Sequence, residues 1–119
     1  MMKNEELVIA DQDYARLSTL EGIDILADEL SRATVVPVER VPGDVVRMHS
    51  VVTYVVEELG ERREVQLVFP EESDPSSGKV SVLAPVGAAL LGLRTGQSID
   101  WRFPDGRMRR LCVERTVAP

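Results

Sequence analysis

The chain has 119 residues, 44% of them hydrophobic, and a formal net charge of −6. That length allows one ordinary core and excludes two full domains, and the acidity excludes a general nucleic-acid binder, which needs concentrated Lys and Arg to meet phosphates. No apolar run approaches the roughly 20 residues of a membrane span, and Met1-Met2-Lys3-Asn4-Glu5-Glu6 lacks the apolar centre of a signal peptide, so a cytoplasmic protein without membrane contact is expected.

In the N-terminal third, Asp11 or Asp13 can cap a helix carrying Tyr14, Leu17 and Leu20. Gly22 breaks it, and Asp24 to Ala33 can form a second helix with Ile25, Leu26 and Leu30 on one face. Residues 1–40 thus read as a short helical hairpin joined at Glu21-Gly22, with Glu21 and Asp24 at its tip. From Val46 to Val56 the even positions Val46, Met48, Val52, Tyr54 and Val56 are apolar, the mark of a half-buried strand. Glu58 to Glu61 closes a hairpin into Val65 to Phe69, and the polar run from Glu71 to Gly78 is a loop.

Lys79 to Ala84 is β-rich, and Pro85 then removes a backbone donor at the helical position where that donor has no partner anyway. A helix of about two turns is expected there. Its stripe is Val86, Ala89, Leu90 and Leu93, and Gly92 supplies a left-handed cap. Ile99, Trp101 and Phe103 alternate with polar residues, Pro104-Asp105-Gly106 turns the chain, and a last strand from Met108 to Val117 puts Leu111, Val113 and Val117 on one side. Residues 41–119 form, on this reading, an α+β domain: an antiparallel sheet of about five strands with one short helix.

The segment Leu83-Ala84-Pro85-Val86-Gly87-Ala88-Ala89-Leu90-Leu91-Gly92-Leu93 followed by Thr95-Gly96, with the strand entry Val41-Pro42-Gly43-Asp44-Val45-Val46-Arg47-Met48-His49-Ser50, resembles the C-terminal domain of the Gre transcript-cleavage factors and their Rnk (regulator of nucleoside diphosphate kinase) relatives. The resemblance implies an FKBP-like fold for residues 41–119. It also implies a regulator that docks on the rim of the RNA polymerase secondary channel, on a helical hairpin of the beta-prime subunit, and competes there with Gre-type factors. The family positions that contact that rim match Leu83, Ala84 and Pro85 here. This chain carries Leu83-Ala84 where cleavage factors tend to have polar residues, in agreement with the Rnk form.

Cleavage factors reach down the channel with a long coiled coil whose acidic tip helps hold magnesium. Helices of about ten residues extend only about 15 Å, so Glu21 and Asp24 have suitable ligand chemistry but insufficient reach, and transcript cleavage is not expected. The protein is then a monomeric binder and not an enzyme. It needs no cofactor, meets nucleic acid only through the polymerase, and has no direct kinase contact.

Two alternatives come from the same domain. FKBP-like proteins isomerise prolyl bonds in an aromatic cavity, but only Tyr54, Phe69, Trp101 and Phe103 are available in this sheet, and they are its natural core. A stand-alone interaction domain for another helical partner is the second. Metal and Cys/His chemistry lack the residues: His49 is the sole histidine, and the lone Cys112 fits a space-filling strand position. Residues 94–119 carry six arginines (94, 102, 107, 109, 110 and 115) against three acids, a candidate basic stripe.

Overall fold

The computed structural model describes residues 7–31, 33–103 and 105–119; within the second helical segment, the side chains of residues 25, 26, 28 and 29 lie outside the described set. The expected apolar face of Ile25 and Leu26, and Pro104 in the expected turn, therefore fall outside it.

The N-terminal segment is not a bare helical hairpin. Strand β1 (Val8–Ala10) leads into helix α1 (Asp11–Leu17), a 3₁₀ turn (Ile23–Leu26) continues into helix α2 (Ala27–Ser31), and β2 (Thr34–Val36) returns parallel to β1, with Val8 opposite Thr34 and Ala10 opposite Val36. Three-residue strands carry too little periodicity to be read from sequence. Ala10, in extended conformation, occupies the N-cap of α1 without a side-chain bond, so neither aspartate caps the helix. Asp11 instead accepts the Gln12 N–H at 2.8 Å, and both Asp11 and Asp13 lie in the first turn, where the helix dipole favours them. The helix stops early because the Ser18 and Thr19 hydroxyls donate to the carbonyls of Ala15 and Arg16 at 3.0 and 2.8 Å. Gly22 then reverses the chain at φ 83°.

The main sheet has the order β5-β4-β3-β7-β6, from β3 (Val51–Val56), β4 (Glu61–Val68), β5 (Lys79–Ser81), β6 (Ser98–Arg102) and β7 (Met108–Val117). It is mixed and not wholly antiparallel. The polar loop after β4 contains two 3₁₀ turns and carries the chain around, so that β5 enters parallel to β4 with Gln66 opposite Lys79.

The expected strand from Val46 begins only at Val51. Ahead of it, residues 47–50 turn tightly: Ser50 Oγ accepts the Arg47 N–H at 2.9 Å, and His49 adopts φ 70°, a left-handed conformation uncommon outside glycine. Within β3 the alternation holds, with Val52, Tyr54 and Val56 buried. On β7 the register against β3 slips between Thr53 and Tyr54, leaving Glu114 without an opposite residue. This bulge reverses the side-chain alternation beyond it, so Leu111 and Val113 are buried while Val117 is 46% exposed, against the expected shared face.

Helix α3 (Pro85–Leu90) lies on the sheet, and Leu90 and Leu93 are buried as its stripe predicts, with Gly92 at φ 83° after its end. Val86 is only half-buried and faces a cleft. One apolar cluster joins Ile9, Leu17 and Leu30 of the N-terminal segment to Val52, Phe69, Leu90 and Leu111 of the sheet domain. Cys112 is half-buried on β7.

Candidate partner-binding site

The ridge Leu83-Ala84-Pro85 is set by β5 and by Ser81. The Ser81 hydroxyl accepts the Leu83 N–H at 3.0 Å and its carbonyl accepts the Ala84 N–H at 3.0 Å, which closes a tight turn over the buried Val82. Ala84 is the extended N-cap of α3, its carbonyl takes the Ala88 N–H at 2.8 Å, and Pro85 follows at the first helical position, exposed. A methyl-sized side chain beside a rigid ring leaves the backbone open to close approach.

Ala84 and Pro85 border a cleft of about 650 Å³ whose apolar lining includes Tyr54, Val65, Val80, Val86 and Phe103, with Arg63 and Glu64 also contributing. A smaller hollow of about 250 Å³ shares Tyr54, Val86 and Phe103 and runs to Leu59, which is 55% exposed. Tyr54 and Phe103 thus line an open face and do not serve the core alone. Their periodicity hides this, but Leu59, a large apolar residue within the otherwise polar Glu57–Gly60 turn, is a signal that the sequence did carry.

Leu83 points neither freely outward nor into a second deep layer. It is half-buried against the apolar cluster, and a Cβ placed on Gly22 would lie 3.5 Å from its Cδ1. The N-terminal turn therefore sits beside the ridge. Glu21 and Asp24 are both exposed in and just after that turn.

Three of the six arginines of the stripe pair with neighbouring acids. Arg94 pairs with Asp44, Arg109 with Asp105 and Arg110 with Asp100, at 2.9 to 3.3 Å. Arg102 donates to the Gly106 carbonyl.

A polar and aromatic junction ties α1 to the sheet domain. Arg16 pairs with Glu71 and its guanidinium lies 3.8 Å above the centre of the buried Phe69 ring. His49 meets that ring edge-on at 5.7 Å, and its Nε2 lies 2.9 Å from Glu72 Oε1. Asp13 Oδ2 accepts the Met48 N–H at 3.3 Å.

Glu72 and Asp13 in this junction titrate in opposite senses. His49 holds Glu72 below the usual glutamate range, whereas burial raises Asp13. A depressed Glu72 contributes its stabilisation fully above its unfolded value and loses it as the pH falls through its folded value. Asp13 acts oppositely, since protonation relieves its desolvation. Thermal melts from pH 6 to pH 3 should therefore show a shallower acid decline for Glu72→Gln than for wild type. A decline identical in the two proteins would mean that the His49–Glu72 pair carries no net stability.

Residues 41–114 match the family model described as the C-terminal region of transcription elongation factor GreA/GreB, and the chain belongs to that family. It is 41% identical over 114 residues to the regulator of nucleoside diphosphate kinase of Escherichia coli K12, covering 88% of this chain and 84% of that protein. Against transcription elongation factor GreA of Rhodospirillum rubrum it is 38% identical over 92 residues, covering 76% of this chain but only 59% of GreA. Among solved structures, a prokaryotic GreA/GreB transcription elongation factor from Nitrosomonas europaea superposes with a TM-score of 0.76 at 40% identity, over 97% of this chain and 100% of that one.

Proposed function

We propose that this chain is a transcription regulator that binds RNA polymerase through Ala84, Pro85 and the adjoining cleft, and that it acts by occupancy without stimulating transcript cleavage. The observation that carries the proposal is the placement of the family's contact motif. Ala84 and Pro85 form the lip of an apolar cleft floored by Tyr54 and Phe103, large enough to receive side chains from a partner helix. The partner surface would be the beta-prime helical hairpin at the secondary-channel rim, which family resemblance supplies, and the chain's acidity suits a basic surface. Residues 41–119 are read as the docking domain, FKBP-like in its short helix laid over a five-stranded sheet.

The lack of cleavage follows from reach. Helix α1 has seven residues, about 10 Å, and the turn at Gly22, between Glu21 and Asp24, lies beside Leu83. Binding would then exclude longer channel-entering factors by mass action. The protein is taken to act as a monomer in the cytoplasm, touching nucleic acid only through the polymerase. Among the described residues no helix is long and apolar enough to cross a membrane.

Competition tests this directly. Purified protein should displace a fluorescently labelled Gre factor from core RNA polymerase, and Ala84→Glu, which blocks close approach at a half-exposed position, should weaken displacement at least about tenfold, or roughly 1.4 kcal/mol. Failure of the wild-type protein to displace the factor at large excess would sink the polymerase reading.

A further inference from the structure

We propose that Leu83 is a positioning residue that couples partner docking to the ordering of the N-terminal segment, and is not itself a partner contact. The inference rests on the docking function proposed above and concerns how that site is held in shape.

Leu83 is the member of the ridge whose side chain faces inward. Ala84 and Pro85 line the cleft, whereas Leu83 packs against the apolar cluster and beside the Gly22 turn, where an added methyl on Gly22 would already be in van der Waals contact with it. The Leu83 backbone is fixed from the other side by the Ser81 hydroxyl. A displacement of the Leu83 side chain is thus passed either to the turn that precedes α2 or to the ridge that precedes α3.

The N-terminal segment is held to the sheet domain by the buried Ile9, Leu17 and Leu30, by the junction around Phe69, and, at its Gly22 turn, by Leu83. Its own strands are three residues each, and the ion pair of Arg16 with Glu71 is solvent-exposed and adds little. A two-stranded pair this short depends on side-chain packing more than on its own ladder, so it opens locally at lower cost than the five-stranded sheet. A partner that requires an ordered ridge must meet the cost of closing it, and by linkage the bound partner must in turn protect the segment.

The experiment measures amide hydrogen exchange in β1 and β2 of the full chain, with and without core polymerase, alongside the displacement assay. In the wild type, polymerase should slow exchange of the β1 and β2 amides. Leu83→Ala should speed their exchange in the free protein at least about tenfold, leave β3 amides unchanged, and weaken displacement roughly three- to tenfold; Leu83→Met, which restores apolar volume, should recover both.

Weakened displacement by Leu83→Ala with unchanged β1 and β2 exchange would make Leu83 a direct contact and overturn the proposal. Faster exchange with undiminished displacement would overturn it too, because the segment would then have no bearing on docking. Absence of displacement by the wild type, with Ala84→Glu equally silent, would instead remove the docking function, and the proposal with it.

Discussion

Gly87→Ala should be among the most damaging single substitutions in the chain. A Cβ at this position would lie 2.1 Å from the Ser81 carbonyl oxygen and 3.0 Å from its carbonyl carbon. Both are backbone atoms of β5, so no rotamer change relieves the contact and α3 must lift from the sheet. The cost should be about 3 kcal/mol or more, at the upper end of overpacking effects, lowering Tm by more than about 10 °C. Because α3 begins at Pro85, lifting it also moves the lip of the cleft, and binding should fall along with stability. Gly43→Ala is the control: nothing lies within 4 Å of its added methyl and its φ is not positive, so a change within about 0.5 kcal/mol is expected. Equal melting temperatures for Gly87→Ala and wild type would refute this close packing of α3 on β5.

The second large effect concerns Phe69, only 2% exposed and gripped by Arg16 and His49 on its face and edge. Truncation in Phe69→Ala should cost about 3–5 kcal/mol by chemical denaturation, because it opens a cavity and removes two ring contacts at once. Phe69→Leu retains much of the apolar volume but loses the ring, so the difference between the two variants reports what the ring adds. Arg16→Ala alone should cost no more than about 1–2 kcal/mol, given the exposure of its ion pair with Glu71. If Phe69→Ala proved as mild as Arg16→Ala, α1 would not be anchored through this ring.

Much of the sheet was legible because its strands are long enough to show a period of two. The alternation in β3 located Val52, Tyr54 and Val56, and Ile99 and Trp101 on β6 were equally plain. What escaped was whatever depends on one residue more or fewer. The bulge at Glu114 turned Val117 outward, the tight turn at His49 delayed β3 by five residues, and the three-residue strands β1 and β2 left no repeat to read. The site divided likewise. The turn at Ala84 and Pro85 into α3 was legible from local pattern, but the cleft beside it takes residues from β3, β4 and β5 and Phe103 after β6, which only tertiary pairing assembles. Leu83 could not be oriented from its strand, because its neighbour is the Gly22 turn, sixty-one positions earlier.

The strand order carries a consequence for how the protein is made. The central strand β3 pairs with β7, the last strand of the chain, so Val51 meets Val117 across more than half of the sequence. While the chain emerges from a ribosome, β3, β4, β5 and α3 are all synthesised before β7 can fill the sheet, and until then the backbone N–H and C=O groups along the β7 side of β3 have no strand partner. The ridge is thus translated early while the sheet under α3 is completed late, and a nascent chain holding Pro85 without β7 has the local turn and not yet the finished sheet.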